Sequence, residues 1–504
     1  MSAQLGKVLS LILVERFGPV IEKVALYLFQ YGPSPILHIK KCTDFPLELV
    51  KEALSIMTKA DMVTFTPNKN ENIANYILKP DRVLLALRYP KYMKLIKMKF
   101  GDECEMIIEE ILHRKYCTAS EVIVEVQERL SKNNTNISFA LVKDKFVSLV
   151  TAKYLIRLQD VGVEEKPVPV FVIDDKEPHT IPPLDIKLIL QAKANNTDFP
   201  DEGTYFGVNF DRFHQDMRDK VIVEAYTKKF DEFAGELVEL LLQQMYIRTD
   251  PWAGVSNPVP ILEIKDIVKK RKQPLNLITF FDQYVNVIEQ DQSNLIRKSG
   301  EASGGSFQIY LKEAFTQFAW EIAEQCVLEK FDSKAARIFR LVKLKQYVEL
   351  DLIQKLTMIN PIEAKRLTYE LLEENFLQMQ DLRKAAAGSG IQKSFTLFHI
   401  KLKQVVRMII ELCHKTLFNI MTRRNHERDM NKRIIDKKQR VDTIAMGMRL
   451  QGASEEQLAD IEEMITPPEK EILERVERTM HKFNNCELAV DDTLFMLQMY
   501  LIYE

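Results

Sequence analysis

At 504 residues the chain is long enough for several domains, and a formal net charge of −2 directs it to neither a polyanion nor a membrane surface. Six scattered cysteines (Cys42, Cys104, Cys117, Cys326, Cys413, Cys486) form no Cys-x-x-Cys pair, which argues for reduced thiols in a cytosolic or nuclear protein and against a zinc ribbon or disulfide scaffold. The apolar run Val8–Val14 has no basic leader and is too short for a bilayer, so it reads as a core helix, and no other stretch is a membrane candidate.

In chain order, Val20, Val24 and Leu28 form a helical stripe, Ile36–Lys41 is a short element, and Val50, Ala53, Leu54 and Met57 mark a further helix. Met62–Thr66 reads as a strand, Asn68–Asn72 as a polar turn and Ile73–Leu78 as the returning strand. The grammar recurs with helices at Met106–Leu112, Ser120–Leu130 and Ser138–Ala152, a strand at Tyr154–Leu158 and a partner expected at Val168–Ile173. Residues 174–204, rich in Pro, Asp and Asn, read as an inter-domain linker with a helical island at Leu184–Ala194. A third unit has helices at Phe210–Phe230, Phe233–Tyr246, Ile261–Lys270 and Leu275–Glu289. Its strands, Leu295–Lys298 and Ser306–Tyr310, flank a wing tip at Ser299–Gly305. In the fourth, Ala336, Ile338, Phe339 and Val342 keep helical spacing, and Val348–Met358 is a short helix. Asn360-Pro361-Ile362-Glu363 is a capping sequence, with Glu363 expected to reach back to free N–H groups. Phe376–Met379 and Ser394–Phe398 are strands around a loop at Arg383–Lys393.

Three helices and a β-hairpin are the winged-helix plan. The predicted fold is mainly α with small β-hairpin wings: four tandem, extended winged-helix domains (1–80, 81–173, 205–310, 311–398), the linker 174–204, and a C-terminal antiparallel coiled coil at 399–504. One spacing ties the units together. An apolar residue near a helix end is followed five positions on by an apolar pair opening a strand: Met57 by Met62-Val63, Leu149 by Tyr154-Leu155, Leu371 by Phe376-Leu377. In the third unit Val287 leads to Leu295-Ile296, three residues later. Beyond Phe398, Val406 to Ile420 and Met430 to Met448 make a long amphipathic helix. Ser454 with Gln457 and Thr466-Pro467-Pro468-Glu469 cap further helices, one through Ile472–Phe483 and a last through Val490–Leu501. Arg423–Arg440 is mainly basic and Glu455–Glu474 acidic, so a hairpin would let them face each other.

Catalytic, cofactor-binding and metal-binding residues are expected to be absent. Gly300–Ser306 has P-loop spacing but Ser306 where the phosphate-binding Lys must stand. His113 with Cys117 supplies two metal ligands at most, and Cys413 and His414 point apart on a helix. For DNA, charge decides. The third helix of unit four carries Glu363, Glu370, Glu373 and Glu374 against Lys365 and Arg366, and that of unit three Asp282, Glu289 and Asp291 with no Lys or Arg, so phosphates would repel both. The candidate DNA-contacting residues are therefore Lys269, Lys270, Arg271 and Lys272 with Arg297 and Lys298 in unit three. Arg88, Lys91, Lys94 and Lys97 join them from the tract Arg82–Lys99, where Tyr89 and Tyr92 are interleaved. Solvated surface, or contact with an acidic partner, is the equal alternative for each cluster.

The motifs RVLLALRYPKYM (Arg82–Met93), FDRFHQDMRD (Phe210–Asp219), ARIFRLV (Ala336–Val342), EAKRLTYELLEENF (Glu363–Phe376) and IEEMITPPE (Ile461–Glu469) resemble the third-largest-type subunit specific to RNA polymerase III. The likeness covers essentially the whole chain. That resemblance implies a TFIIE-alpha-like fold and a non-catalytic subunit of the nuclear polymerase that makes tRNA, 5S rRNA and other short RNAs. Implied partners are a TFIIE-beta-like winged-helix subunit, a small acidic-tailed subunit, the clamp of the largest subunit, TFIIIB, and promoter DNA held weakly without sequence preference while it opens. Two other classes compete: a sequence-specific winged-helix regulator, which the acidic third helices disfavour, and a helical scaffold subunit of another large complex, which normally ends in a single winged helix.

Overall fold

The computed structural model describes residues 2–68, 73–132, 138–158, 160–161, 168, 171–172, 178–195, 197–271, 275–291, 293–300, 305–383, 394–450 and 464–504. They form two compact units, Met1–His214 with His414–Ala489, and Gln215–Cys413 with Val490–Glu504. The turn at Asn68–Asn72 and the wing tips near 301–304 and 384–393 fall largely or wholly outside the described residues, and the Ser454 capping box does so entirely.

The first unit opens with α1 (Ala3–Phe17), whose N–H groups at Gln4 and Leu5 donate to Ser2 Oγ at 3.2 Å and which buries Val8, Leu9, Ile12 and Leu13. Then come α2 (Pro19–Tyr31), β1 (Ser34–Pro35), α3 (Ile36–Thr43), α4 (Leu47–Lys59), β2 (Val63–Pro67) and β3 (Ala74–Leu78). The strands make a sheet in the order β1-β3-β2. After α5 (Pro80–Leu84) and α6 (Tyr89–Phe100), the same plan repeats in α7 (Asp102–Arg114), β4 (Cys117–Thr118), α8 (Ala119–Lys132), α9 (Phe139–Thr151) and β5 (Leu155–Arg157).

Here the structure corrects the expected pairing. The residues 160–161 and 171–172 form a separate ribbon, β6 (Asp160–Val161) with β7 (Phe171–Val172). After α10 (Ile186–Asn195), β8 (Tyr205–Val208) closes the second wing in the order β4-β8-β5, with Leu155 opposite Val208. Packing explains the choice: Phe206 is fully buried edge-on to Phe146, and Tyr205 stacks on Tyr116 at 3.9 Å. Gly207 admits Leu158, because a Cβ there would come within 2.8 Å of its methyl. Within 174–204, therefore, the described residues form part of the second domain instead of an inter-domain linker. Pro178 accepts from Arg157 N–H at 2.9 Å, Asp201 accepts from Ser120 N–H at 2.8 Å, and Lys193 pairs with Glu128.

The helix α11 (Phe210–Lys229) begins in the first unit and ends in the second, which continues with α12 (Glu232–Arg248), β9 (Val259–Pro260) and α13 (Ile261–Arg271). Then come α14 (Leu275–Thr279), α15 (Phe281–Glu289), β10 (Ile296–Ser299) and β11 (Ser306–Ile309). The single helix expected at Leu275–Glu289 is broken at Phe280. Its carbonyl accepts from Gln283 and Tyr284 at 3.0 and 3.1 Å, and the break seats Phe281 in the core while Phe280 stays outside. The last wing unit is α16 (Leu311–Lys330), α17 (Ser333–Lys345), β12 (Val348–Glu349), α18 (Leu350–Thr357), α19 (Pro361–Glu373), β13 (Gln378–Arg383) and β14 (Ser394–His399). Asn360 caps α19 by accepting from Ile362 N–H at 3.1 Å, but Glu363 turns to Lys334 at 2.7 Å instead of back to the cap. The four three-stranded sheets share one order, with the strand that precedes the second helix beside the last strand of the hairpin.

The five-residue spacing has a physical cause. Met62, Tyr154 and Phe376 N–H groups donate to the Met57, Leu149 and Leu371 carbonyls at 2.9, 3.0 and 2.9 Å. The preceding residues, Asp61, Lys153 and Asn375, are left-handed at φ 54°, 66° and 62°. Each is a Schellman C-cap, closing the helix and clamping the apolar pair across the turn.

The C-terminal helices are α20 (Leu402–Met430), α21 (Lys432–Leu450) and α22 (Pro467–Tyr503). Asn431 interrupts the long helix: its side chain donates to Glu427 O at 2.8 Å while its carbonyl starts α21. The two last helices expected are one, since nothing between Phe483 and Val490 is Gly or Pro. In the first unit α21 packs antiparallel to α22. Lys437 meets Glu469 at 2.7 Å, Lys438 meets Glu477, and Val441, Ile465 and Leu473 cluster with Ile434 and Ile435. Thr466 N–H and Oγ both donate to Glu469 at 3.0 Å, and these bonds with Lys437 hold the Glu469 carboxyl down at about 2.

Candidate nucleic-acid interface

The basic set of the third wing unit sits on a helix and a strand. Lys269 and Lys270 are exposed near the end of α13, Arg271 is its last residue, and Lys272 lies outside the described residues. On β10, Arg297 lies 4.5 Å from the Tyr310 ring and 3.4 Å from Glu313, so part of its charge is neutralised within the unit. Lys298 is exposed and crosses Gly305, whose φ of +96° and lack of a Cβ make room for its stem. Ser306, the P-loop mismatch, opens β11 and donates to Ser299 O as part of a hairpin.

The tract Arg82–Lys99 departs from a basic stripe. Arg88 is only 3% exposed, which withdraws it from any surface role. Lys91 donates to Leu488 O at 2.9 Å, and Lys97 sits 2.9 Å from Glu105 and 3.2 Å from Asp102, bonds that raise its pKa. Lys94 is exposed. Neither interleaved tyrosine offers a stacking platform for bases. Tyr92 is buried against Phe213 at 4.9 Å with its hydroxyl 2.9 Å from His214. Tyr89 stacks on Phe210 between Arg16, 5.2 Å from its ring, and Lys115, at 4.1 Å. Burial pushes the Tyr89 hydroxyl up to about 12, and burial followed by Arg16 brings Lys115 down to about 7. The alternation of basic and aromatic residues here builds a helix-to-helix joint.

Among the third helices, α15 and α19 hold most of their acids in ion pairs: Asp282 with Lys265 at 3.0 Å, Glu363 with Lys334, Glu370 with Arg366 at 3.7 Å. On α9, Lys143 and Lys145 donate to the carbonyls of Leu184 and Phe100 at 2.6 and 2.9 Å. On α4, Lys51, Ser55 and Lys59 are exposed, a face that the helix spacing 51, 55, 58, 59 already encodes but that charge counting over longer tracts passes over; on α19, Lys365 is exposed as well. A larger cavity of about 520 Å³ in the first unit is lined by Arg16, Arg424, Glu15 and Glu487, and its arginine Arg424 bridges both glutamates. No group of three or more metal-ligating side chains occurs among the described residues. His113 is exposed, while Cys117 is buried and its thiol is pushed up to about 12 by that burial.

The chain is 32% identical to DNA-directed RNA polymerase III subunit RPC3 of Bos taurus and to that of Homo sapiens, across 98% of this chain and 98% of each relative, and 30% identical to that of Danio rerio across 99% of both. It belongs to the RPC3 family of RNA polymerase III subunits. Family profiles match four stretches of the chain. The RPC82 helix-turn-helix profile matches residues 7–68, the RPC82 profile 176–318, the POLR3C C-terminal winged-helix profile 323–400, and the RPC3 helical hairpin profile 433–496. The helix-turn-helix match thus falls on the first sheet-bearing unit, the winged-helix match on the fourth, and the hairpin match on α21 and α22. As an RPC3 subunit the chain associates with other subunits of RNA polymerase III.

Proposed function

We propose that this subunit is non-catalytic and nuclear, and that it acts with a TFIIE-beta-like winged-helix subunit and a small acidic-tailed subunit as a heterotrimer on the polymerase clamp. There it supports promoter opening at tRNA, 5S rRNA and other short-RNA genes, with TFIIIB as a further contact. The observation that carries this reading is the charge state of the third helices. In the second unit Lys143 and Lys145 are bonded to backbone carbonyls, and the helices of the third and fourth carry Asp282, Glu289, Glu363, Glu370 and Glu373, which phosphates would repel, so these helices suit protein surfaces better than base reading. DNA contact then runs weakly through Lys269, Lys270, Arg271, Lys272 and Lys298, with Lys94 as a minor site.

The test uses the polymerase purified through this chain. Changing Lys269, Lys270, Arg271 and Lys272 to Ala should leave assembly intact and flatten the dependence of log affinity on log salt by about 0.9 for each duplex phosphate no longer neutralised. An unchanged slope removes this cluster from DNA. Failure of the unaltered chain to copurify with polymerase subunits, or nucleotide turnover by the purified subunit free of polymerase, overturns the reading as a whole.

A further inference from the structure

The outer face of α4, in the first wing unit, carries a groove of about 280 Å³, bordered by the start of α3, by α4 and by the two strands β2 and β3. Its apolar lining is Ile36, Leu54, Phe65 and Tyr76, the last two with ring centroids 6.4 Å apart. Its polar lining is Lys51, Ser55, Thr58 and Lys59. Thr58 is committed, since its hydroxyl donates to Leu54 O at 2.8 Å. Lys51 and Lys59 are exposed, and neither has an ion pair among the described residues. They stand eight positions apart on one helix face, about 12 Å at 1.5 Å per residue.

We propose that this groove docks an extended polypeptide segment that places one large apolar side chain between two carboxylates, in the pattern acidic-x-apolar-x-acidic. An extended strand turns alternate side chains to the same side and rises about 3.3 Å per residue, so positions one, three and five face the groove and its ends lie about 13 Å apart. That matches the spacing of the two lysines. The central side chain enters among Leu54, Phe65 and Tyr76. The volume falls just under the roughly 300–1,000 Å³ of small-molecule pockets and suits a side-chain anchor. A nucleic-acid strand fits less well. A phosphodiester leaves the apolar lining of Leu54, Phe65 and Tyr76 unfilled.

This inference rests on the subunit reading, because the occupant is another polypeptide of the assembled polymerase. The experiment replaces Ser55 with the photoreactive p-benzoylphenylalanine in the full chain, purifies the polymerase, irradiates it and maps the crosslinked product by mass spectrometry. The expected product is a peptide with the acidic-x-apolar-x-acidic pattern. Its yield should fall at least about ten-fold in Lys51→Glu/Lys59→Glu, since like charges set against each other at a contact are strongly unfavourable. Lys51→Gln/Lys59→Gln should give an intermediate loss. Both lysines are exposed, so an unchanged melting curve for each variant shows that the fold is intact. A crosslink to DNA, a crosslinked peptide lacking the flanking carboxylates, a yield indifferent to both charge changes, or no crosslink from an assembled polymerase overturns the docking site and leaves the subunit reading standing. Failure to copurify overturns that reading first.

Discussion

Removing Arg424 should loosen the first unit more than any surface ion pair would. On α20 it donates to Glu487 of α22 at 2.5 Å and to Glu15 of α1 at 2.7 Å. Its side chain is 13% exposed and that of Glu487 12%, against 33% for Glu15. Opposite charges with centres about 4 Å apart attract by about 4 kcal/mol at an effective dielectric constant of 20, and the desolvation of the pair takes back much of that. The more open bridge to Glu15 is screened and contributes at most about 1 kcal/mol. Arg424→Ala removes the guanidinium that bridges Glu487 and Glu15, so the expected loss is about 3 kcal/mol. Arg424→Met/Glu487→Leu removes both charges and should recover most of it. Native-state hydrogen exchange at the amides of α1, α20 and α22 is the assay, because a chain of two units need not unfold in one step. If the double variant is as destabilised as Arg424→Ala, the negative charge that Arg424 offsets at Glu487 is not the source of the loss and the reasoning fails.

Lys153 is exposed and left-handed at φ 66°, so Lys153→Gly should stabilise the end of α9 by up to about 1 kcal/mol and Lys153→Val weaken it by about 1–2 kcal/mol. Exchange of the Tyr154 amide reads this, and identical behaviour of the two variants would refute the cap. The Glu469 carboxyl is depressed from 4.5 to about 2 by Lys437 first and Thr466 second, so its contribution is complete above pH 4.5 and is lost as pH falls to about 2. Glu469→Gln should therefore melt below the unaltered protein at pH 7 and converge with it near pH 2; a gap that persists would contradict the assignment. Lys115 is depressed from 10.5 to about 7, so between those values the unfolded chain holds a proton that the folded one lacks, and stability rises with pH. Lys115→Met should flatten that rise, and an unaltered pH profile would show that Lys115 stays charged.

What could be read from the residues was whatever local chemistry encodes. The Schellman caps announce themselves because one backbone bond ties residues five apart, which leaves Met57 and Met62, Leu149 and Tyr154, and Leu371 and Phe376 buried as pairs. Among the described residues of the third unit no such bond occurs. Its α15 runs out at Gln290, and Asp291, held by Tyr226, Ser293 and Lys229, anchors a longer turn before Asn294 goes left-handed. The basic and acidic faces of the hairpin met as their charges suggested, at Lys437 and Glu469. The partner of β5 was hidden because a four-residue strand far along the chain carries no local mark of whom it pairs with; the burial of Phe206 and the smallness of Gly207 beside Leu158 fit β8 to that place. The fate of Arg88 was hidden for the same reason, since burial of a charge depends on neighbours that no periodicity reveals. The face of α4 was readable in principle, as four residues on one turn-to-turn row, but balanced by Glu48 and Glu52 it gave no net charge to notice.

The residues of the first unit are not contiguous, because after His214 they resume at His414 and run to Ala489. During synthesis, the segment up to His214 leaves the ribosome well before the helices that carry Arg424 and Glu487 exist. At about 5–20 residues per second, the remaining 275 residues between 214 and 489 take roughly 10–60 s to appear. Through most of that interval, until Phe418 and Arg424 of α20 are made, the side of α1 bearing Glu15 and Lys7 waits without them. A nascent chain stalled before α20 thus presents a surface that a longer one covers, and a holding chaperone has a defined place and period in which to act.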